Sequence, residues 1–342
     1  MVQIVKVDNH VDSEINYAQA VDLLKSAQVV AFPTETVYGL GAIATNEQAV
    51  AKIFEAKGRP SDNPLIVHVG TVEEVVNYVE EISPVAKQCM HAFWPGPLTL
   101  VMKAKTGVLA PNVTAGLTTV GIRMPDHPVA LELLQQLKMP VAAPSANKSG
   151  KPSPTKAEHV AEDLADRIPL IVDGGATGIG LESTVLDTTV TPPVILRPGG
   201  VTKEMLEEVI GPVLEPTVSE HKLESTPKSP GMKYTHYAPN APVYLIKENE
   251  QMASIIARLK ADGHKVALLA PSKYETLPAD YFLSFGDGQD LQQIGALLYD
   301  HLRQCDKTDA TVILATVTTQ AGVGSAIMNR LQKAAGDQWL LK

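Results

Sequence analysis

Cysteine is scarce: Cys89 and Cys305 are the only two in 342 residues, and no CxxC or clustered histidine accompanies either. Neither a disulfide framework nor a structural zinc site is indicated, and both thiols are expected as small core residues. Aromatic residues make up only 5% of the chain, which weakens any surface meant to grip nucleic acid by stacking its bases. No apolar run approaches the roughly 18 residues that a membrane span requires. The opening stretch MVQIVKVDNHVDSEIN has polar side chains where a secretory signal needs an apolar core, so a cytoplasmic protein is expected. Familiar motifs are missing too. Without GxxxxGK(S/T) there is no P-loop, and neither a GxSxG nucleophile elbow nor a metal-ligand cluster is present. GLGAIA, Gly39 to Ala44, formally matches GxGxxA, but no helical run opens there and a dinucleotide fold is not expected. GVGSAIMNRL near the end does open a helix, and a plain capping role is the reading given to its glycines.

Acidic residues outnumber basic ones, giving a formal net charge of -9, which argues against a protein whose main task is coating nucleic acid. The distribution says more than the total. Ile82 to Pro125 contains no Asp or Glu beside Lys87, Lys103, Lys105 and Arg123, and Leu133 to Ala157 contains none beside Lys138, Lys148, Lys151 and Lys156. Such windows describe either a face that receives anions or scattered lysines on a solvated surface.

At 342 residues, with 44% hydrophobic and 20% charged, the chain can bury more than one core, and two domains are expected. Over the first two thirds, strand-like runs (VVAFPTE, PLIVHVG, LTLVMKA, TVGIRMP, PVAAPSA, LIVDGG, STVLDTT, PVILRPG) are interspersed with helical patterns. The helical stretches are NYAQAVDLLKSA, EQAVAKIFEAKG, VEEVVNYVEEI, HPVALELLQQLK, KAEHVAEDLADRI and TKEMLEEVI. This is an α/β pattern, and the neighbouring strand candidates after Leu170 imply some antiparallel pairing, hence a mixed twisted sheet. Residues 1–210 are read as this domain. Residues 211–240 carry five prolines without sustained periodicity and read as a linker. The linker also holds SPGMKYTHYAP, Ser229 to Pro239, side chains suited to an active-site lid. From 241 to 342 short strands and amphipathic helices resume, as expected for a smaller Rossmann-like parallel α/β domain.

The candidate chemistry lies in polar loops at strand ends. FPTETVYGLGA interrupts an apolar strand with Thr34, Glu35 and Thr36; KGRP offers Lys57 and Arg59; PSANKSG follows the apolar PVAA with Ser145, Asn147 and Ser149; LESTVLD carries Ser183 and Thr184; ILRPGG carries Arg197. Singly, each is also a turn or a helix cap. Jointly, Lys57, Arg59, Arg123 and Arg197 beside hydroxyl and amide donors describe a receptor for phosphate and carboxylate, at the strand ends where open α/β sheets bind ligands. Gly58 is expected to let the backbone approach a phosphate closely.

FPTETVYGLGA, KGRPSDNPL, PSANKSG, STVLD, LRPG and SPGMKYTHYAP, in that order, closely resemble the YrdC-type threonylcarbamoyl-AMP synthases, and the tail with GVGSAIMNRLQKAA is similar to the extra domain of their long, two-domain form. The resemblance implies a nucleotidyltransferase that joins L-threonine, bicarbonate and ATP into threonylcarbamoyl-adenylate and pyrophosphate, for modification of an adenosine in tRNA. Mg²⁺ is expected with the ATP, without a protein-borne metal site. tRNA and a downstream threonylcarbamoyl-transferase complex are the further partners it suggests, and no membrane. By the same resemblance Lys57, Arg59, Ser145 and Asn147 form the catalytic centre. Thr34, His68, Arg123 and Ser183 would hold threonine, with Arg123 on its carboxylate. Lys57, Ser61, Thr119, Ser145, Ser153, Arg197 and Tyr234 would contact the nucleotide. Two rivals stand beside this reading: an RNA-binding module of the tRNA-modification machinery without its own adenylating activity, and a carbamoyl transferase like hydrogenase-maturation proteins with a YrdC-like domain.

Overall fold

The computed structural model describes residues 2–7, 13–215, 237–248 and 251–341. By contacts the chain divides into two compact units. One comprises Met1–Ser149, Pro154–Gly178 and Glu182–Lys233, the other Gly150–Ser153, Ile179–Leu181 and Tyr234–Lys342.

Ten strands of the first unit form one sheet. In chain order they are β1 (Gln3–Lys6), β2 (Val30–Phe32), β3 (Gly39–Ile43), β4 (Ile66–His68), β5 (Leu98–Lys103), β6 (Thr119–Arg123), β7 (Val141–Ala142), β8 (Leu170–Asp173), β9 (Thr184–Asp187) and β10 (Val194–Arg197). Their spatial order is β1-β8-β2-β3-β7-β4-β6-β5-β9-β10. Parallel pairs such as β4 with β6 alternate with antiparallel ones such as β5 with β6, and β9 pairs antiparallel with β10, so the expected mixed sheet is present. The helices are α1 (Ser13–Lys25), α2 (Glu47–Lys57), α3 (Pro84–Phe93), the short α4 (Pro111–Thr114), α5 (Pro128–Leu137), α6 (Ala157–Leu164) and α7 (Lys203–Ile210).

Strand alternation sorts the sheet's side chains onto two faces. Val30 and Phe32 join Tyr17, Leu24, Leu133 and Leu137 of α1 and α5 in one core. Ala31, between them in sequence, joins the larger core built with Val50, Ile53 and Phe54 of α2 and with residues of α3, α6 and α7. Local signals set the helix ends. In α2 the Asn46 side chain accepts a hydrogen bond from Ala49 N at 3.0 Å, and the helix stops at Gly58, whose φ of 65° closes it in the left-handed region. In α5, Pro128 occupies the first turn, where its missing N–H is not needed.

The helix expected over VEEVVNYVEEI is a correction: only a 3₁₀ helix, Val72–Asn77, forms there. The backbone beyond it is drawn off toward the end of β5, where Glu80 N donates to Lys103 O and Lys105 N to Tyr78 O. Those bonds replace the ladder that a helix would need, and extended pairing suits this valine-rich stretch.

The second unit holds a five-stranded sheet, all parallel, of β11 (Val243–Ile246), β12 (Val266–Ala270), β13 (Tyr281–Ser284), β14 (Val312–Thr316) and β15 (Trp339–Leu341), ordered β13-β12-β14-β11-β15. Helices α8 (Met252–Ala261), α9 (Leu291–Cys305) and α10 (Val323–Ala334) belong to it. Met252, Ile255 and Ile256 of α8, spaced i, i+3, i+4 on one helical face, share a core with Val266, Leu268 and Leu314. Both cysteines are free and buried.

Candidate active site

Three polar groups stand at strand ends of the first unit. The first surrounds Lys57, the last residue of α2. Its side chain is only 4% exposed, and its ammonium donates to Ser145 O, to Asn147 O at 2.8 Å and, more weakly, to Asn147 Oδ1 at 3.4 Å. Ser145 Oγ donates to the same Asn147 Oδ1 at 2.6 Å, and Asn147 Nδ2 donates to Lys148 O at 2.8 Å. Lys148 N is held by Asp163 Oδ2 at 3.1 Å, from the buried side of α6. Lys57 therefore fastens the loop after β7 as well as offering charge. That is folding work which the sequence reading did not foresee. Gly58 ends α2 in the left-handed region, and a Cβ there would meet only Arg167 Nη1 at 3.6 Å, so no protein neighbour demands a glycine for space.

The second group centres on Arg123, the last residue of β6 and 4% exposed. Its Nη1 donates to Thr36 Oγ1 at 2.9 Å and its Nε to Gly96 O at 3.2 Å, while Nη2 lies 2.5 Å from Glu35 Oε2. Thr34 Oγ1 is 2.8 Å from Thr36 Oγ1 and donates to Val37 O at 2.7 Å, which tightens the loop after β2. His68 ends β4 and pairs in register with Arg123. Burial pushes its imidazole down to about 3, with the Arg123 cation adding to the effect, so the ring is neutral at physiological pH.

The third group joins β5, β9 and β10. Arg197 donates from Nε and Nη2 to Ser183 O at 3.1 and 3.0 Å, and from Nη2 to Ser183 Oγ at 3.2 Å; Ser183 Oγ lies 2.8 Å from Thr99 Oγ1. Register links this group to the second. Val141 pairs with His68 and His68 with Arg123; Thr99 is one residue from the Leu100–Ile122 pair and itself pairs with Val185, which pairs with Arg197. Directly paired residues share a face, and Val141 belongs to the α1 and α5 side. One row on one face thus carries His68, Arg123 and Thr99; the register shifts between Ile195 and Arg197, and Arg197 is tied to the row through Ser183 Oγ, which meets Thr99 Oγ1. Backbone bonds bring the Lys57 group alongside: Ser145 bridges to Gly39, and Ala146 N donates to Tyr38 O at 2.8 Å, just beyond the Thr34 loop.

The other expected residues are placed less closely. Arg59 lies with its guanidinium 5.5 Å from the Phe54 ring centre and Nη2 at 3.5 Å from Asn63 O. Ser61 is exposed on the following turn. Thr119 opens β6 four residues before Arg123, on the same face by alternation. Ser153 is buried and belongs to the second unit. Tyr234, with most of the stretch expected as a lid, lies outside the described residues. Sequence reading assigned no role to Glu35, Thr36, Thr99 or Asp163. Glu35 and Thr36 were visible only as polar interruptions, and Thr99, inside LTLVMKA, carried no signal of its role.

A family model described as telomere recombination matches residues 22–199, and one described as threonylcarbamoyl-AMP synthase, C-terminal domain, matches residues 201–336. The threonylcarbamoyl-AMP synthase of Bacillus subtilis (strain 168) is 53% identical over 322 residues, 93% of this chain and 92% of that protein. The chain belongs to the threonylcarbamoyl-AMP synthase family. The synthase of Schizosaccharomyces pombe is 40% identical over 90% of this chain and 84% of its own length. Among solved structures, Pyrococcus abyssi Sua5 complexed with L-threonine matches with a TM-score of 0.93 and 44% identity, covering 99% of both chains. Family membership and fold thus agree with the resemblance read from the motifs. Among the described residues no helix is long and apolar enough to cross a membrane, and no group of three or more His, Cys, Asp or Glu could hold a metal ion.

Proposed function

We propose that the row of polar residues on the first unit's sheet, with the Lys57 loop beside it, is where this threonylcarbamoyl-AMP synthase joins L-threonine, bicarbonate and ATP, releasing pyrophosphate. The observation that carries the reading is the register that sets His68, Arg123 and Thr99 in one row, to which hydrogen bonds through Ser183 tie Arg197. The chemistry suits such a row. A threonine carbamate is an anion that attacks the α-phosphate of a polyanion, so fixed cations must lower the repulsion and align the two. Arg123 and Thr34 receive threonine, with neutral His68 and Ser183 beside them. Lys57, Ser145 and Asn147 receive the triphosphate, with Arg59, Ser61, Thr119, Ser153, Arg197 and Tyr234 on the nucleotide. The Lys57 hydrogen bond to Asn147 Oδ1 is long, at 3.4 Å, and can give way to a phosphate oxygen.

Magnesium belongs to this reading as the ATP complex. The Lys57 group offers an ammonium, a hydroxyl and an amide rather than carboxylates, so the ion would be held by phosphate oxygens and water. The three-part organisation into 1–210, 211–240 and 241–342, with the middle stretch as a lid, and service to tRNA and a downstream transferase are part of the same proposal. So is a cytoplasmic setting, to which two free buried thiols are suited.

The test is pyrophosphate release by the full chain from ATP, threonine and bicarbonate. Lys57→Ala should abolish it. Full turnover in that variant would remove Lys57 from the mechanism, and release without threonine would point to a different acceptor.

A further inference from the structure

We infer that Glu35 is the acceptor for the amino group of the bound amino acid. Its side chain is 11% exposed, and both carboxylate oxygens are shut off from solvent. Oε2 lies 2.5 Å from Arg123 Nη2. Oε1 has no hydrogen-bond partner among the described residues. A buried carboxylate oxygen without a donor is costly, and carboxylates have room for several. Of the Arg123 nitrogens, Nη1 goes to Thr36 and Nε to Gly96 O, while Nη2 makes no hydrogen bond among the described residues and stands against Oε2. On the neighbouring α5, the N-cap His127 accepts from Val129 N at Nδ1, which leaves the ring proton on Nε2, and no hydrogen bond from it reaches Glu35. What Oε1 lacks is a cation or an N–H donor small enough to enter.

An α-amino acid supplies one. Its ammonium and carboxylate are both borne by the α-carbon, and a paired Glu and Arg present the opposite charges in the same proximity. With the substrate carboxylate on Arg123, its amino group turns toward Glu35. After carbamoylation the nitrogen keeps one N–H, so the contact survives into the carbamate. The site would thereby select α-amino acids over hydroxy acids of the same skeleton. This rests on the assignment of Arg123 to the substrate carboxylate.

The experiment is calorimetric titration of the full chain, wild type and Glu35→Gln, with L-threonine and with 3-hydroxybutyrate, which has the same carbon skeleton without the amino group. Wild type should favour threonine by roughly tenfold or more, and Glu35→Gln should weaken threonine by about the same factor while leaving 3-hydroxybutyrate nearly unchanged. Equal weakening of both ligands would mean that Glu35 only holds Arg123, and the inference would fall. Unchanged threonine affinity in the variant would also overturn it. Wild type that binds threonine no better than 3-hydroxybutyrate would defeat it as well. Wild type that binds neither would instead defeat the assignment on which it rests. If Glu35→Gln does not fold, Glu35→Asp serves, since the shorter side chain withdraws the oxygen while keeping the charge, and the same loss for threonine alone is expected.

Discussion

A histidine enclosed on a sheet can take up a proton only where the fold tolerates a second charge. His68 stands beside the Arg123 cation, and burial together with that cation lowers its value from 6.5 to about 3. Between those values the unfolded chain binds a proton that the native chain does not. The stabilisation from neutral His68 is therefore complete above the unfolded value and is lost as pH falls toward 3. In His68→Gln, the plot of unfolding free energy against pH between about 6 and 4 should be shallower than in wild type. The difference should approach about 1.4 kcal/mol per pH unit, the weight of one proton. Urea titrations across that range measure it, and parallel curves would mean that His68 is charged in the native state. Lys57 teaches a related lesson. Its charge could be read from KGRP, but its attachment to Ser145 and Asn147 joins residues 88 and 90 positions apart, and no local pattern encodes that.

At the scale of elements, glycines separate two physical causes that sequence does not distinguish. Gly58 needs a positive φ, and Gly58→Ala should cost about 1 kcal/mol through strain at the end of α2. Gly41 needs space: a Cβ would come within 2.7 Å of both Phe32 and Val141. Gly41→Ala should therefore cost more, about 1–3 kcal/mol, by overpacking. Denaturant midpoints of the two variants rank them, and equal midpoints would contradict the distinction. The same contrast explains what could be read beforehand. Helices with caps and apolar spacing, α2 and α5, emerged within a residue of their bounds. β3 did not, because two glycines give GLGAI little strand propensity, and its place is fixed by pairing with β2 and β7. VEEVVNYVEEI misled because pairing to the end of β5 overrode its helical spacing. In the site, the cations were legible by type. Thr99 and Glu35 were not, because their meaning depends on register across β5, β6 and β9 and on a loop folding back onto Arg123.

For the whole molecule, an acidic chain of net charge -9 keeps Lys57, Arg123 and Arg197 buried and partnered rather than displayed. That arrangement fits a small-molecule site that excludes water better than a surface laid against a nucleic acid. The second unit has its own parallel sheet and core. Mass spectrometry of the full chain's products from ATP, bicarbonate and threonine tests the central claim most directly. The account predicts threonylcarbamoyl-AMP with pyrophosphate, and neither when threonine is left out. Pyrophosphate released without threonine, or no adenylate from the complete mixture, would contradict it.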